Sequence, residues 1–108
     1  IYIELPITFP EAALGCKKDV PTPLGEICRV SISEGTQTGK QLRVSGKGFP
    51  NIHGRGQGDL IVRILVETPV KLSDKQKELL KAFEELESPQ NQPTKKTFLD
   101  KIKECFKG

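Results

Sequence analysis

Residues able to do chemistry crowd into one stretch, EGTQTGKQLRVSGKGFPNIHGRGQGD, which runs from Glu34 to Asp59 and carries two Gly-Lys pairs and the single His53. A Gly-Lys pair after a glycine-rich run can cradle a nucleotide phosphate, but only where Gly-x-x-x-x-Gly-Lys-Ser/Thr joins a strand to a helix. Here Gly35 and Gly39 stand one residue too close, Gln41 occupies the place of the hydroxyl, and QLRV beyond Lys40 reads as a strand. The glycines read better as turn residues, because glycine takes positive φ without a steric penalty. Lys47, His53 and Arg55 lend the same loop an Arg-Gly character that can touch RNA. With one arginine and one phenylalanine, the segment GKGFPNIHGRGQG that carries them lacks a stacking platform, and a solvated hairpin loop is the better reading.

The remaining chemistry is sparse. There is no nucleophile elbow, no histidine beside an acid and no carboxylate pair spaced for acid–base work, so no catalytic residue is assigned and no enzyme is expected. Asp59 opens a strand after a turn in the ordinary way. Cys16, Cys28 and Cys105 form no C-x-x-C pair and His53 lies far from them in sequence, so no metal site and no cofactor are expected. An odd, thinly spread set of cysteines fits a reducing cytosol better than a disulfide scaffold, and a cytoplasmic location is expected. A symmetric hairpin around residues 21–25 would set Cys16 opposite Cys28.

The elements that must position these residues are bounded by composition. At 108 residues the chain suits one domain, or one domain with an appendage, and can bury a core without staples. The missing initiator Met suggests a piece of something longer. No apolar run approaches the roughly 20 residues that cross a bilayer. The net charge of +3 is local, because TKKTFLDKIKECFKG at 94–108 sets five lysines against Asp100 and Glu104 and leaves the rest of the chain neutral. No basic face remains to hold a nucleic-acid backbone, and no nucleic acid is expected as a partner.

IYIELPITF alternates, with Ile1, Ile3, Leu5, Ile7 and Phe9 on one face, which predicts a half-buried strand; Pro6 argues for a sheet edge or a bulge. PEAAL with Gly15 behind it predicts one helical turn. CKKDVPTPLGEICRVSI reads as two strands about the turn TPLG, and KQLRVS as another short strand. DLIVRILVETP, apolar on both faces apart from Arg63, should be central in its sheet. After Pro69 the period changes. LSDKQKELLKAFEEL carries apolar residues at 79, 80, 83 and 86 on one helical face, and Ser73 with Gln76 forms a capping box. ESPQNQPTKK reads as a polar linker, followed by a short helix with Phe98, Leu99, Ile102, Cys105 and Phe106 on one side and lysines on the other. That last helix could lie on an anionic membrane, but its length and the helix before it favour contact with protein.

Taken together, LPITFPEAALG, VPTPLGE, EGTQTGKQLRVSGKGFP, GQGDLIVRILVETPVKLSDKQKELLKAF and TFLDKIKECF resemble, in order, the C-terminal region of the bacterial DnaJ family, the class A J-domain co-chaperones. The resemblance implies a mainly β fold: a two-sheet β-sandwich of the DnaJ C-terminal peptide-binding type, with a short helical turn near 10–14 and C-terminal helices. It divides the chain into a sandwich at 1–70, a dimerisation helix at 71–88, a linker at 89–96 and an amphipathic helix at 97–108. The family pairs two such arms into a homodimer that holds unfolded client polypeptides and delivers them to DnaK. Neither the His-Pro-Asp motif of the J domain nor the cysteine-rich zinc repeats occurs in this sequence. The fragment is therefore expected neither to stimulate ATP hydrolysis nor to bind the zinc of the parent family.

Carried onto these residues, the resemblance puts the dimer contact on Leu79, Leu80, Phe83 and Leu86, supported by Phe98, Ile102 and Phe106. The alternative is that some of them cap the sandwich of their own protomer. The resemblance makes this sandwich the second of the family's two homologous substrate-binding domains, and by analogy with the preceding sister domain a client groove would lie beside Cys16, Lys18 and Val20 of the hairpin and Leu42 and Val44 of the short strand. The same positions also suit ordinary sandwich core. A pure dimerisation module, with clients held by the sister domain, is the alternative function.

Overall fold

The computed structural model describes residues 2–44 and 58–106. Strand β1 (Tyr2–Thr8), helix α1 (Phe9–Leu14) and strands β2 (Cys16–Pro21), β3 (Ile27–Ile32), β4 (Gln41–Val44) and β5 (Leu60–Glu67) precede helices α2 (Asp74–Leu86) and α3 (Pro93–Phe106). The chain divides into two units, Ile1–Val70 and Lys71–Gly108.

Among the described residues the first unit is a sandwich of two unequal sheets, as the resemblance implies. Its larger sheet has the order β1-β5-β4, with β1 parallel and β4 antiparallel to β5; β2 and β3 form the smaller, antiparallel one. β5 is central because its inward row Leu60, Val62 and Ile64 is at most 1% exposed. Each such side chain contributes about 1.5–3 kcal/mol relative to an exposed one. Val20, Val30 and Ile32 of the smaller sheet close the core from the other side, with Ile7 and Ala12 at one end. β1 lies at a sheet edge, where Pro6 can lack its N–H without leaving a central ladder incomplete.

The turn signals resolve into specific geometry. The Gly39 N–H donates to the Ile64 carbonyl at 2.7 Å while the Ile64 N–H donates to the Lys40 carbonyl at 2.8 Å. Two residues of one strand thus oppose one of the other: a β-bulge, whose first position needs the positive φ of 90° that Gly39 supplies. This Gly-Lys pair forms a bulge at the entry to β4. The second pair, at 46–47, and the loop with His53 and Arg55 lie outside the described residues.

Thr8 caps α1 through a reciprocal box with Glu11, and Gly15 ends the helix at φ 84° and ψ 152°. Those angles are almost exclusive to glycine. A Cβ at Gly15 would also stand 3.1 Å from the Ile32 carbonyl oxygen and 3.2 Å from the Glu34 nitrogen. The 33–36 turn folds against this cap, with Gly35 and Thr36 N–H groups both donating to the Ala12 carbonyl.

Two expectations change. In the hairpin, Cys16 faces Ile32 and Cys28 faces Val20. The turn closes between Thr22 and Glu26, farther along the chain than a Cys16–Cys28 pairing requires, so the two cysteines stand about four residues apart along the hairpin, roughly 13 Å. They cannot bridge without rebuilding the strands. The last helix begins at Pro93 rather than at 97, because proline suits a first helical position and the Gln92 carbonyl accepts from Lys96 N–H at 2.9 Å.

In the second unit, Ser73 and Gln76 form the expected capping box at the start of α2. Neither α2 nor α3 buries a residue. Among the described residues, no helix is long and apolar enough to cross a membrane.

Candidate functional site: a half-covered sandwich margin and two apolar helix stripes

Among the described residues one sheet has three strands and the other two, and the inward row of the wider sheet is less completely covered toward its margins. Ile3 and Leu5 on β1, and Leu42 and Val44 on β4, point inward beside the fully buried row of β5 yet remain only half-buried. Inward-facing apolar groups next to a sheet edge are the ingredients of strand addition, in which an extended peptide takes main-chain bonds from the edge and its side chains fill the margin.

On the smaller sheet, β2 places Cys16, Lys18 and Val20 on one face. Val20 is 1% exposed and Cys16 is half-buried against the core. The Lys18 ammonium pairs with the Glu11 carboxylate of α1. The hydrogen bond from Lys18, and then one from Thr8 N–H, hold the Glu11 carboxyl below its usual pKa, and the same pair raises Lys18. The outer face of this hairpin carries exposed Ile27 at one end and an ion pair in which Asp19 accepts from Arg29 at 3.1 Å. Of the five groove residues named from the resemblance, Val20 is therefore sandwich core, Lys18 already has a partner, and Leu42 and Val44 stand on the other sheet at its β4 edge.

The helical unit presents a second candidate surface. Leu79, Phe83 and Leu86 of α2 are 58%, 46% and 81% exposed, and Leu80 is half-buried. On α3, Phe98, Leu99, Ile102 and Phe106 are all exposed as well. Such amphipathic stripes are unusual on a finished surface and mark contact sites.

Residues 1–69 match the family described as the DnaJ C terminal domain, and residues 75–108 match the Chaperone protein DnaJ C-terminal region. The chain belongs to the DnaJ C-terminal family. It is 63% identical over 98% of its length to the Chaperone protein DnaJ of Protochlamydia amoebophila, covering 28% of that protein. Against the Chaperone protein DnaJ of Chlamydia muridarum it is 57% identical over 98% of its length, covering 27% of the relative. The chain thus spans just over a quarter of the length of the curated DnaJ relatives it matches. These DnaJ relatives are named as chaperone proteins, a role that in general is not enzymatic.

Within the DnaJ sandwich, sequence reasoning passed over Ile3 and Leu5 as margin residues and Glu11 as the partner of Lys18. The alternation of β1 carried the first signal. The second lay in Thr8-x-x-Glu11, a capping-box spacing that sets Glu11 in the first turn of α1. Among the described residues no cluster of His, Cys, Asp and Glu has the makings of a metal site.

Proposed function

We propose that this chain is the client-holding and dimerising end of a DnaJ-type co-chaperone, which binds exposed apolar segments of non-native polypeptides and acts with a DnaK-type partner through the longer protein. The observation that carries the reading is the pair of half-covered aliphatic margins, Ile3 with Leu5 and Leu42 with Val44, each on an edge strand of the larger sheet. A margin of this kind reads backbone and a few side chains, which suits weak binding to varied sequences followed by release. The exposed stripes of α2 and α3 support a homodimer, which would give two such margins one body. The reading calls for no cofactor in this chain.

A second reading, dimerisation alone, draws support from the burial of Val20 and the pairing of Lys18 with Glu11, which remove two of the five groove residues from easy reach. Titration of the isotope-labelled chain with an extended apolar peptide separates the two. The client-holding reading expects saturable shifts at Ile3, Leu5, Leu42 or Val44 at up to about millimolar peptide. Shifts confined to α2 and α3, or none, would leave dimerisation alone.

A further inference from the structure

α3 is built symmetrically about Ile102. Its immediate neighbours are Lys101 and Lys103; Asp100 and Glu104 stand two residues away, Leu99 and Cys105 three, and Phe98 and Phe106 four. At about 3.6 residues per turn, offsets of three and four fall on the side of Ile102, an offset of one falls about 100° to either side, and an offset of two about 160° away. An apolar face is thus bordered on both sides by lysine, and both carboxylates lie behind it.

That face is open. Phe98, Leu99, Ile102 and Phe106 are 60%, 45%, 37% and 86% exposed. The groove beside the end of α2 takes in Leu99, together with Glu84 and Glu87, but none of Phe98, Ile102 and Phe106. Starting at Pro93, the helix has 14 residues and a length of about 21 Å, and Phe98 sits more than a turn inside its start.

Charge decides what suits such a face. A lysine stem lies along apolar surface while its ammonium reaches outward to a phosphate. Lysine on both borders therefore fits a plane that is apolar within and anionic at its rim, with the carboxylates kept on the water side. The Asp100 carboxylate is also answered within the helix by Lys96, 3.7 Å away. A second α3 laid face to face would set lysine borders against lysine borders. α2 lacks the pattern: it carries four carboxylates against three lysines, where α3 carries four lysines against two carboxylates, and Glu84 borders its apolar stripe.

We propose that α3 is an interfacial helix that lies flat on an anionic phospholipid bilayer, with Phe98, Ile102 and Phe106 set among the acyl chains and Lys101 and Lys103 at the headgroup phosphates. This goes beyond the proposed function, and it leaves the contact of the proposed homodimer to α2.

The test uses Phe98→Trp as a reporter, since the native chain has no tryptophan. With vesicles of phosphatidylcholine and phosphatidylglycerol at a ratio of about two to one, its emission should shift to the blue and the chain should sediment with the lipid; vesicles of phosphatidylcholine alone should do neither. Exchanging two neighbours in this background, Asp100→Lys with Lys101→Asp, keeps the net charge but breaks one border, and should weaken binding at least about tenfold. Sedimentation with the anionic vesicles without a blue shift would overturn the proposal, because another surface would then be in contact. Equal binding by the exchanged variant would overturn it in favour of bulk charge. A chain that binds neither vesicle would sink it outright, and if Ile102→Asp then lowers the molar mass in solution, the face belongs to a protein contact instead.

Discussion

Glu11 and Lys18 form an ion pair that ties the first turn of α1 to the middle of β2. Glu11 also caps its own helix through Thr8 N–H at 2.9 Å, so one carboxylate fixes both the start of α1 and its approach to the hairpin. Its pKa is lowered by Lys18 first and by the Thr8 bond second. A group whose folded pKa is depressed contributes stability above its unfolded value and loses it as pH falls through the folded one. The raised Lys18 acts in the opposite sense, contributing at neutral pH and losing that share only as pH climbs past the usual lysine value of about 10.4. Thermal melts from about pH 6 down to pH 3 should therefore fall more steeply for the native chain than for Lys18→Met, with the difference opening below about pH 4.3. Both groups are partly exposed, so the difference should be small and should shrink in high salt. Parallel curves would mean that the pair adds nothing in solution.

Gly15 offers a larger effect. Its φ and ψ belong to a region open almost only to glycine, and an added Cβ meets two backbone atoms of the 32–34 turn, neither of which can swing aside as a side chain would. Gly15→Ala should cost about 3 kcal/mol, a fall of about 12 °C or more in the melting midpoint of a domain this size. Gly25→Ala, where φ is 83° but nothing lies within 4 Å of the added carbon, should cost nearer 1 kcal/mol. Equal losses at the two sites would show that the close approach at Gly15 relaxes freely.

Thr22 points the other way. It is 7% exposed, and its Oγ1 is buried with no hydrogen-bond partner among the described residues, although its backbone N–H is satisfied by the Glu26 carbonyl. A buried hydroxyl with no partner costs its desolvation, and valine fills the same shape without it. Thr22→Val is expected to raise stability by about 1 kcal/mol, read as a higher denaturation midpoint at unchanged slope. A loss would mean that the hydroxyl finds a partner in solution, a bound water being the simplest.

How much of this was legible in the residues depends on whether a feature is local. The alternation of β1, the two-sided apolar run of β5 and the capping box at Ser73 each declare themselves within a few residues, and the fold follows them. The hairpin register did not, because TPLG marks a turn but does not say which residue pairs close it, and a shift of a few positions moves Cys28 from Cys16 to Val20. The bulge at Gly39 is likewise invisible without Ile64, its partner some 25 residues away on β5. The margins of the sandwich are a consequence of unequal sheet widths, which no single strand records. For the helices, periodicity located the apolar stripes, while their exposure could be read only once it was clear that neither helix buries a residue in its own chain.

Phe83 lies in the middle of the α2 stripe and is 46% exposed, on a helix that buries nothing. A carboxylate introduced there would have to be desolvated in any apolar contact between copies, but costs little where the surface stays wet. Phe83→Asp should therefore weaken association by at least about 2 kcal/mol, roughly thirtyfold in the dissociation constant, while the sandwich at 1–70 melts as before. Sedimentation or light scattering across a wide concentration range gives the first quantity, and a thermal melt of the same variant gives the second. If the dimer survives unchanged, the interface does not use the α2 stripe. If the sandwich melts early instead, α2 contributes to the stability of its own protomer and its apolar stripe cannot be assigned to the dimer alone.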